Sequence, residues 1–267
     1  MSGLTSIVVP CHENLLYTAL CLQSIGRHTP EPHEVIVVDN GCTDGTGEWC
    51  AAAGARVVRS SVNLGFAGGC NLGLAAAAGD VAVVLNNDAL ATPGWLTGLR
   101  GALGREEGVG IAGPRSNWVS DDQIIPHVPY EAAPSAQLDA FAADRAREHA
   151  GQGREVTRVS GLCMAIGREA LDALGGFDTR FEIGNMEDED YALRARLAGI
   201  RLWVADDAYV HHFGHRTFTS LGEDYDTLLN GNAMRYAMKW GLPVGGDPRG
   251  VMPQRAFDAR LDRIPLA

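Results

Sequence analysis

The sequence predicts an α/β fold with a mostly parallel central sheet flanked by helices. Three observations predict it. Residues 81–85, VAVVL, are apolar at five consecutive positions, the mark of a strand buried on both faces. Similar apolar runs at 6–9, 34–38 and 56–58 alternate with helical stretches, which calls for parallel strands joined by right-handed crossovers. The 81–85 run then breaks off in Asn86, Asn87 and Asp88, polar groups at a strand's carboxyl end, where open α/β sheets bind ligands.

The remaining elements follow in order. Residues 15–25 and 71–78 read as helices, the second stopped by Gly79, and 95–103 as another with Pro93 near its first turn. From about residue 114 the texture changes, because Gly113, Pro114, Pro126, Pro129 and Pro134 break up a polar, loop-like segment. A charged surface helix over 136–150 precedes a strand at 159–166 and a short helix at 168–174, closed by Gly175 and Gly176. A helix over 187–198, a strand over 202–205, a His-rich segment at 211–215 and a helix at 225–240 complete the pattern. The final residues, with Pro243, Pro248, Pro253 and Pro265, read as a loosely packed tail.

At 267 residues the chain can bury a substantial core. Its net charge of -11 argues against general nucleic-acid binding, which needs a basic surface, but not against a nucleotide whose phosphates a cation neutralises. The six cysteines, at 11, 21, 42, 50, 70 and 163, form no CxxC pair and are expected as reduced thiols of a cytoplasmic protein. MSGLTSIVVP lacks a signal-peptide pattern, and no apolar run approaches the roughly 20 residues needed to span a bilayer. The chain is therefore expected to be soluble, or at most peripheral at the inner face of a membrane.

Five stretches carry chemistry. IVVPCHEN (7–14) ends a strand at Pro10 without the glycines of a dinucleotide site, and no Walker pattern exists, which excludes NAD enzymes and P-loop NTPases. In VIVVDNGCTDGT (35–46), Asp39 ends a buried strand and faces the same sheet edge as Asp88; it either accepts a nucleobase N–H or caps a turn, while Asp44 reads as a cap. NLGFAGGCN (63–71) is a Gly-rich turn opening a helix, whose free amides are placed to approach a ligand. NMEDEDYALRARLAG (185–199) starts a helix with four acids; consecutive residues point about 100° apart, so the four cannot share one role. Asp190 is spaced to pair with Arg194, and one of Glu187 and Asp188 should point off the helix end as a general base. In VHHFGHRTF (210–218) one histidine joining Asp88 on a divalent metal fits better than a zinc site, with His215 and Arg216 facing phosphate and Gly214 a hinge.

Together, Pro10, VVDNGCTDGT, NLGFAGGCN, LNNDA, GGFDTRF and the EDED helix with Arg194 resemble the family 2 glycosyltransferases, inverting enzymes with a Rossmann-like A-type nucleotide-sugar fold, over roughly residues 4–218. The resemblance implies one domain over 1–240, with a nucleotide-sugar half (1–113), an acceptor half (114–240) and a tail (241–267). It implies that Asp39 binds the nucleobase beside a wall of Pro10, Cys11 and Glu13, and that Asn63, Gly68, Asn87 and Asp88 complete the nucleotide site. Asn86–Asp88 takes the place of the family's acidic triplet, with Asn86 where an aspartate is usual, so that Asp88 and His212 would hold Mn²⁺ or Mg²⁺. Asp188 would be the catalytic base, with Glu187 as second candidate. Trp118 is either a sugar platform or a core or lid residue, and Arg194, His215 and Arg216 stand as acceptor or diphosphate contacts.

The implied partners are a UDP- or TDP-linked sugar donor and an acceptor hydroxyl on a glycan, lipid-linked sugar, natural product or peptide; a homodimer is left open. Two rivals remain, a nucleotidyltransferase and a non-catalytic carbohydrate-binding relative. PCHEN is neither Gly-rich nor basic, which counts against the first, and Asp188 is present, which counts against the second.

Overall fold

Four parallel strands, in the order β3-β2-β1-β4, form the first half of the sheet: β1 (Thr5–Cys11), β2 (His33–Asn40), β3 (Arg56–Ser60) and β4 (Val81–Leu85). The computed structural model describes residues 3–119, 121–214, 225–243, 249 and 251–266. The sheet continues from β4 through β8 (Cys163–Gly167), β6 (Val109–Ser116), β9 (Arg201–His212) and β5 (Ala89–Ala91), with β7 (Gly153–Val156) also paired to β9. β6 and β9 run with the first four strands, whereas β5, β7 and β8 run against them, so the sheet is mixed and mostly parallel.

Side chains alternate across this sheet, and each face buries its own core. Ile7, Val9, Val83 and Leu85 point towards helices α1 (Leu15–His28) and α4 (Trp95–Arg105), where Cys21, Ile25, Trp95 and Leu99 close the layer. Val8, Val38 and Val84 point the other way, against α3 (Gly65–Ala76), α6 (Arg168–Leu174) and α7 (Glu187–Leu197). Helix α2 (Thr46–Ala52) packs on β2 and β3, and α5 (Ala136–Glu148) on β9. α8 (Tyr225–Trp240) contributes Tyr236 and Trp240 to a third cluster with Phe181 and Leu193.

β4 occupies the predicted residues, and helix α3 begins six residues earlier than expected because the glycines are part of it. Gly69 and Gly73 fall at four-residue spacing on its sheet side. A Cβ at Gly73 would stand 2.2 Å from Val8 Cγ1, and one at Gly69 3.4 Å from Pro10 Cβ, so the helix lies directly on β1. The strand expected at 159–166 starts only at Cys163, since the amides before it bind side chains instead of a neighbouring strand. The strand expected at 202–205 instead runs twelve residues to His212, which puts His211 and His212 on a strand end. The tail is more firmly docked than its prolines suggest: α9 (Ala259–Asp262) leads to Ile264, whose amide and carbonyl bond Leu174 and Gly176.

Candidate active site

The carboxyl ends of β1, β2 and β4 open onto a cleft of about 580 Å³. Pro10, Cys11, Asn63, Asn87, Asp88, Trp118, Glu187, Asp188 and His212 all line it, as the sequence leads one to expect.

At one corner Asp88 and His212 meet. Asp88 follows β4 and is 4% exposed; His212 ends β9, which pairs there with Ala89. His212 Nε2 lies 3.1 Å from Asp88 Oδ1, and its Nδ1 lies 2.7 Å from the carbonyl oxygen of Trp118. A carbonyl only accepts, so Nδ1 carries a hydrogen, and Nε2 is the nitrogen turned to the carboxylate. A proton can join Nε2 to Asp88, and a cation displacing that proton would find an imidazole nitrogen and a carboxylate oxygen side by side. Among the described residues no group of three or more His, Cys, Asp or Glu is arranged to hold a metal, so a cation here would draw the rest of its shell from phosphate oxygens and water. Asn87 is fixed differently, its amide donating 2.9 Å to Thr18 Oγ1, while Asn86 Oδ1 is buried with no hydrogen-bond partner among the described residues.

At another corner α7 begins. Met186 sits in the left-handed region, φ 76°, and turns the chain so that Glu187 and Asp188 face the cleft. Asp188 Oδ2 accepts from the Gly161 amide at 3.0 Å and Oδ1 from the Glu189 amide at 2.9 Å, which holds the carboxylate still. Glu187 is 6% exposed, and its Oε2 has no hydrogen-bond partner among the described residues. Burial, with the Asp188 charge adding to it, pushes the Glu187 carboxyl well above the usual carboxylate range. Two adjacent acids thus differ in kind: one is buried and favours its neutral form, the other is clamped by amides.

At the end of β2, Asn40 stitches that strand to α3. Its amide donates to Asn63 Oδ1 (3.1 Å) and Gly65 O (3.0 Å), and its Oδ1 accepts from the Leu64 amide at 2.9 Å. The Gly-rich segment differs from expectation here, because the amides of Leu64, Gly65 and Phe66 already have acceptors in Asn40, Asn63 and Ile183. Gly68 packs on Leu64 and does not line the cleft. Glu13 bonds the Thr43 amide and hydroxyl, bracing one loop against the next. Asp39, 7% exposed, accepts from the Cys42 amide at 2.9 Å and lies 3.6 Å from Arg59 Nε; like Glu13 it stands behind the lining residues.

One assignment is corrected. Arg194 is no acceptor or diphosphate contact: its side chain has no exposure, and its guanidinium binds Asp190 and the carbonyls of Leu174 and Gly176. The i,i+4 spacing to Asp190 signalled this structural role. His215 and Arg216 lie outside the described residues, as does the rest of the stretch beyond Gly214 on which closure over a donor was expected.

Trp118 is 52% exposed at the cleft, so it is not a core residue. Sequence reading missed His12, Asn40, Phe66 and Arg158, all of which line the cleft. Asn40 alone carried a signal, its place beside Asp39 at a strand end. Arg158 sits in an ion pair with Glu189, the third acid of the EDED run, a partnership no local pattern reveals.

Comparison with known proteins identifies the family. The family model described as glycosyl transferase family 2 matches residues 6–175. An uncharacterised protein of Mycobacterium tuberculosis is 32% identical over 216 residues, 79% of this chain and 74% of its own. The N-acetylglucosaminyl-diphospho-decaprenol L-rhamnosyltransferase of the same species is 27% identical over 267 residues, covering 88% of this chain and 86% of its own. Among solved structures, the mannosyltransferase PcManGT of Pyrobaculum calidifontis, in complex with GDP-Man and Mn²⁺, superposes with a TM-score of 0.59 at 20% identity. That superposition covers 86% of this chain and 64% of the mannosyltransferase, and it speaks for the fold alone. The chain belongs to glycosyl transferase family 2, and it is a glycosyltransferase of the A-type fold.

Proposed function

We propose that this chain transfers a sugar from a UDP- or TDP-linked donor to an acceptor hydroxyl, with a divalent cation, Mn²⁺ or Mg²⁺, and inversion at the anomeric carbon. The observation that carries the reading is one cleft holding both the Asp88–His212 corner and the amide-clamped Asp188. Asp88 and His212 would hold the cation, which when bound neutralises the diphosphate and stabilises the departing nucleoside diphosphate. Residues 1–113 form the donor half and 114–240 the acceptor half of the site.

Asp188 takes the proton of the acceptor hydroxyl as that oxygen attacks the anomeric carbon from the face opposite the leaving group. Its two amide hydrogen bonds orient the carboxylate for this step. Trp118, exposed at the cleft, offers an apolar face to a sugar ring. The rhamnosyltransferase relative, by its name, acts on a sugar carried by a lipid diphosphate, which supports a lipid-linked acceptor and work at the inner face of a membrane. No helix among the described residues is long and apolar enough to cross one.

Calorimetry of UDP with Mn²⁺ tests the site. Asp88→Ala should abolish Mn²⁺-dependent UDP binding with the fold intact, because Asp88 lies in the turn between β4 and β5, outside the hydrophobic core. Wild-type affinity in the variant overturns the assignment.

A further inference from the structure

Strand β6 stops at Ser116, opposite Val210 of β9, two residues short of His212. The side chain of Asn117 continues the pairing that the strand abandons. Its Oδ1 accepts from the His212 amide at 2.8 Å, and its Nδ2 donates to the His212 carbonyl at 3.0 Å. One carboxamide thereby supplies both the acceptor and the donor that a neighbouring strand would offer. On the other edge His212 faces Ala89, and the next amide, Phe213, donates to the Asp88 carbonyl at 3.0 Å. Trp118, the residue after Asn117, then turns its own carbonyl to His212 Nδ1.

The consequence for the ring is geometric. Asn117 fixes where the His212 backbone lies relative to the chain segment that holds the Trp118 carbonyl. That carbonyl makes Nδ1 a donor, which leaves Nε2 as the nitrogen turned to Asp88 and the cleft. Asn117 is not among the residues lining the cleft and has no direct route to substrate. We infer that Asn117 is a positioning residue, which holds His212 in register so that the ring keeps Nδ1 on the Trp118 carbonyl and points Nε2 at Asp88. Its significance for metal uptake rests on the function proposed above; its effect on the ring does not.

The amide function is required by this reading. Aspartate keeps the acceptor for the His212 amide but sets a carboxylate oxygen against the His212 carbonyl, whereas alanine removes both bonds. Asn117 is half-buried outside the hydrophobic core clusters, so both variants should fold.

Two measurements on the full chain decide the matter. Long-range ¹H–¹⁵N spectra of the histidine side chains, with the His212 signals assigned by His212→Gln, should show one ring form with a hydrogen fixed on Nδ1 in the wild type. They should show a mixture in Asn117→Ala. Paramagnetic resonance titration with Mn²⁺ in the presence of UDP should show affinity about 10- to 100-fold weaker in Asn117→Ala, the range typical for loss of a group that orients a metal ligand. Asn117→Asp should fall between the two, with thermal midpoints little changed. An unaltered tautomer together with unaltered Mn²⁺ affinity in Asn117→Ala overturns the inference. A wild-type chain that takes up no Mn²⁺ counts against the metal reading alone, and the tautomer spectra then decide on Asn117.

Discussion

Arg194 and Asp190 meet at 2.8 Å, one helical turn apart on α7, and neither side chain is exposed to solvent. Around this pair four helices are tied together. The guanidinium also bonds the carbonyls of Leu174, Gly176 and Asp262, while Asp190 receives Lys239 at 2.6 Å and the Trp240 indole at 3.0 Å. The start of α7, which carries Glu187 and Asp188 to the cleft, is anchored by this buried knot.

Removing one member of the knot leaves buried polar groups without partners. Arg194→Met should destabilise the fold by about 3–5 kcal/mol in urea unfolding. A variant with wild-type stability and a selective loss of acceptor affinity would restore Arg194 to the binding surface.

Asp188→Asn keeps the shape of the side chain and removes its basicity. Turnover should fall by about 10²- to 10⁴-fold, with donor affinity unchanged in calorimetry. Transfer at the wild-type rate would move the base elsewhere, with Glu187 the next residue to test.

Glu187 makes a separate prediction about pH. A carboxyl whose affinity for protons is raised in the fold favours folding below the ordinary value near 4.5, and that contribution is lost as pH rises towards the folded value. At neutral pH the burial of Glu187 is therefore a cost. Glu187→Gln should raise the thermal midpoint at neutral pH, with the gain shrinking as the pH is lowered towards about 4.5. An advantage that does not change with pH would refute the raised proton affinity.

Gly65 opens α3 at φ +71°, and a Cβ there would stand 1.8 Å from the Glu182 carbonyl oxygen. Gly65→Ala meets both a left-handed backbone and a backbone clash, and should cost more than about 1 kcal/mol in chemical denaturation. A neutral result would show that the segment around Glu182 yields without cost.

Much of this architecture is legible in the sequence where one physical cause dominates. The 81–85 strand is uniformly apolar because both its faces are covered, and Asp190 and Arg194 announce their pairing through helical spacing alone. Legibility fails where tertiary partners override local pattern. β9 runs through Asp206 and Asp207, which look like loop residues until Arg115 and Arg154 neutralise one and Arg105 approaches the other. β6 contains Gly110, Gly113 and Pro114, which read as breakers, yet Gly113 leaves the space that Val159 and Gln123 fill. Asp39 shows the same limit in the site: its place at a strand end is evident, but the Cys42 amide and Arg59 that engage it are not.

The glycine face of α3 has a bearing on how such a cleft diversifies. Behind Val8 the helix lies so close to β1 that a Cβ at Gly73 would clash, so that wall cannot advance by the size of a methyl group. Elsewhere the cleft is lined by long side chains, among them Trp118 and Arg158. Variation is thus cheap on one side of the cavity and nearly forbidden on the other. Relatives descended from this scaffold should share a rigid inner gauge and differ at the rim.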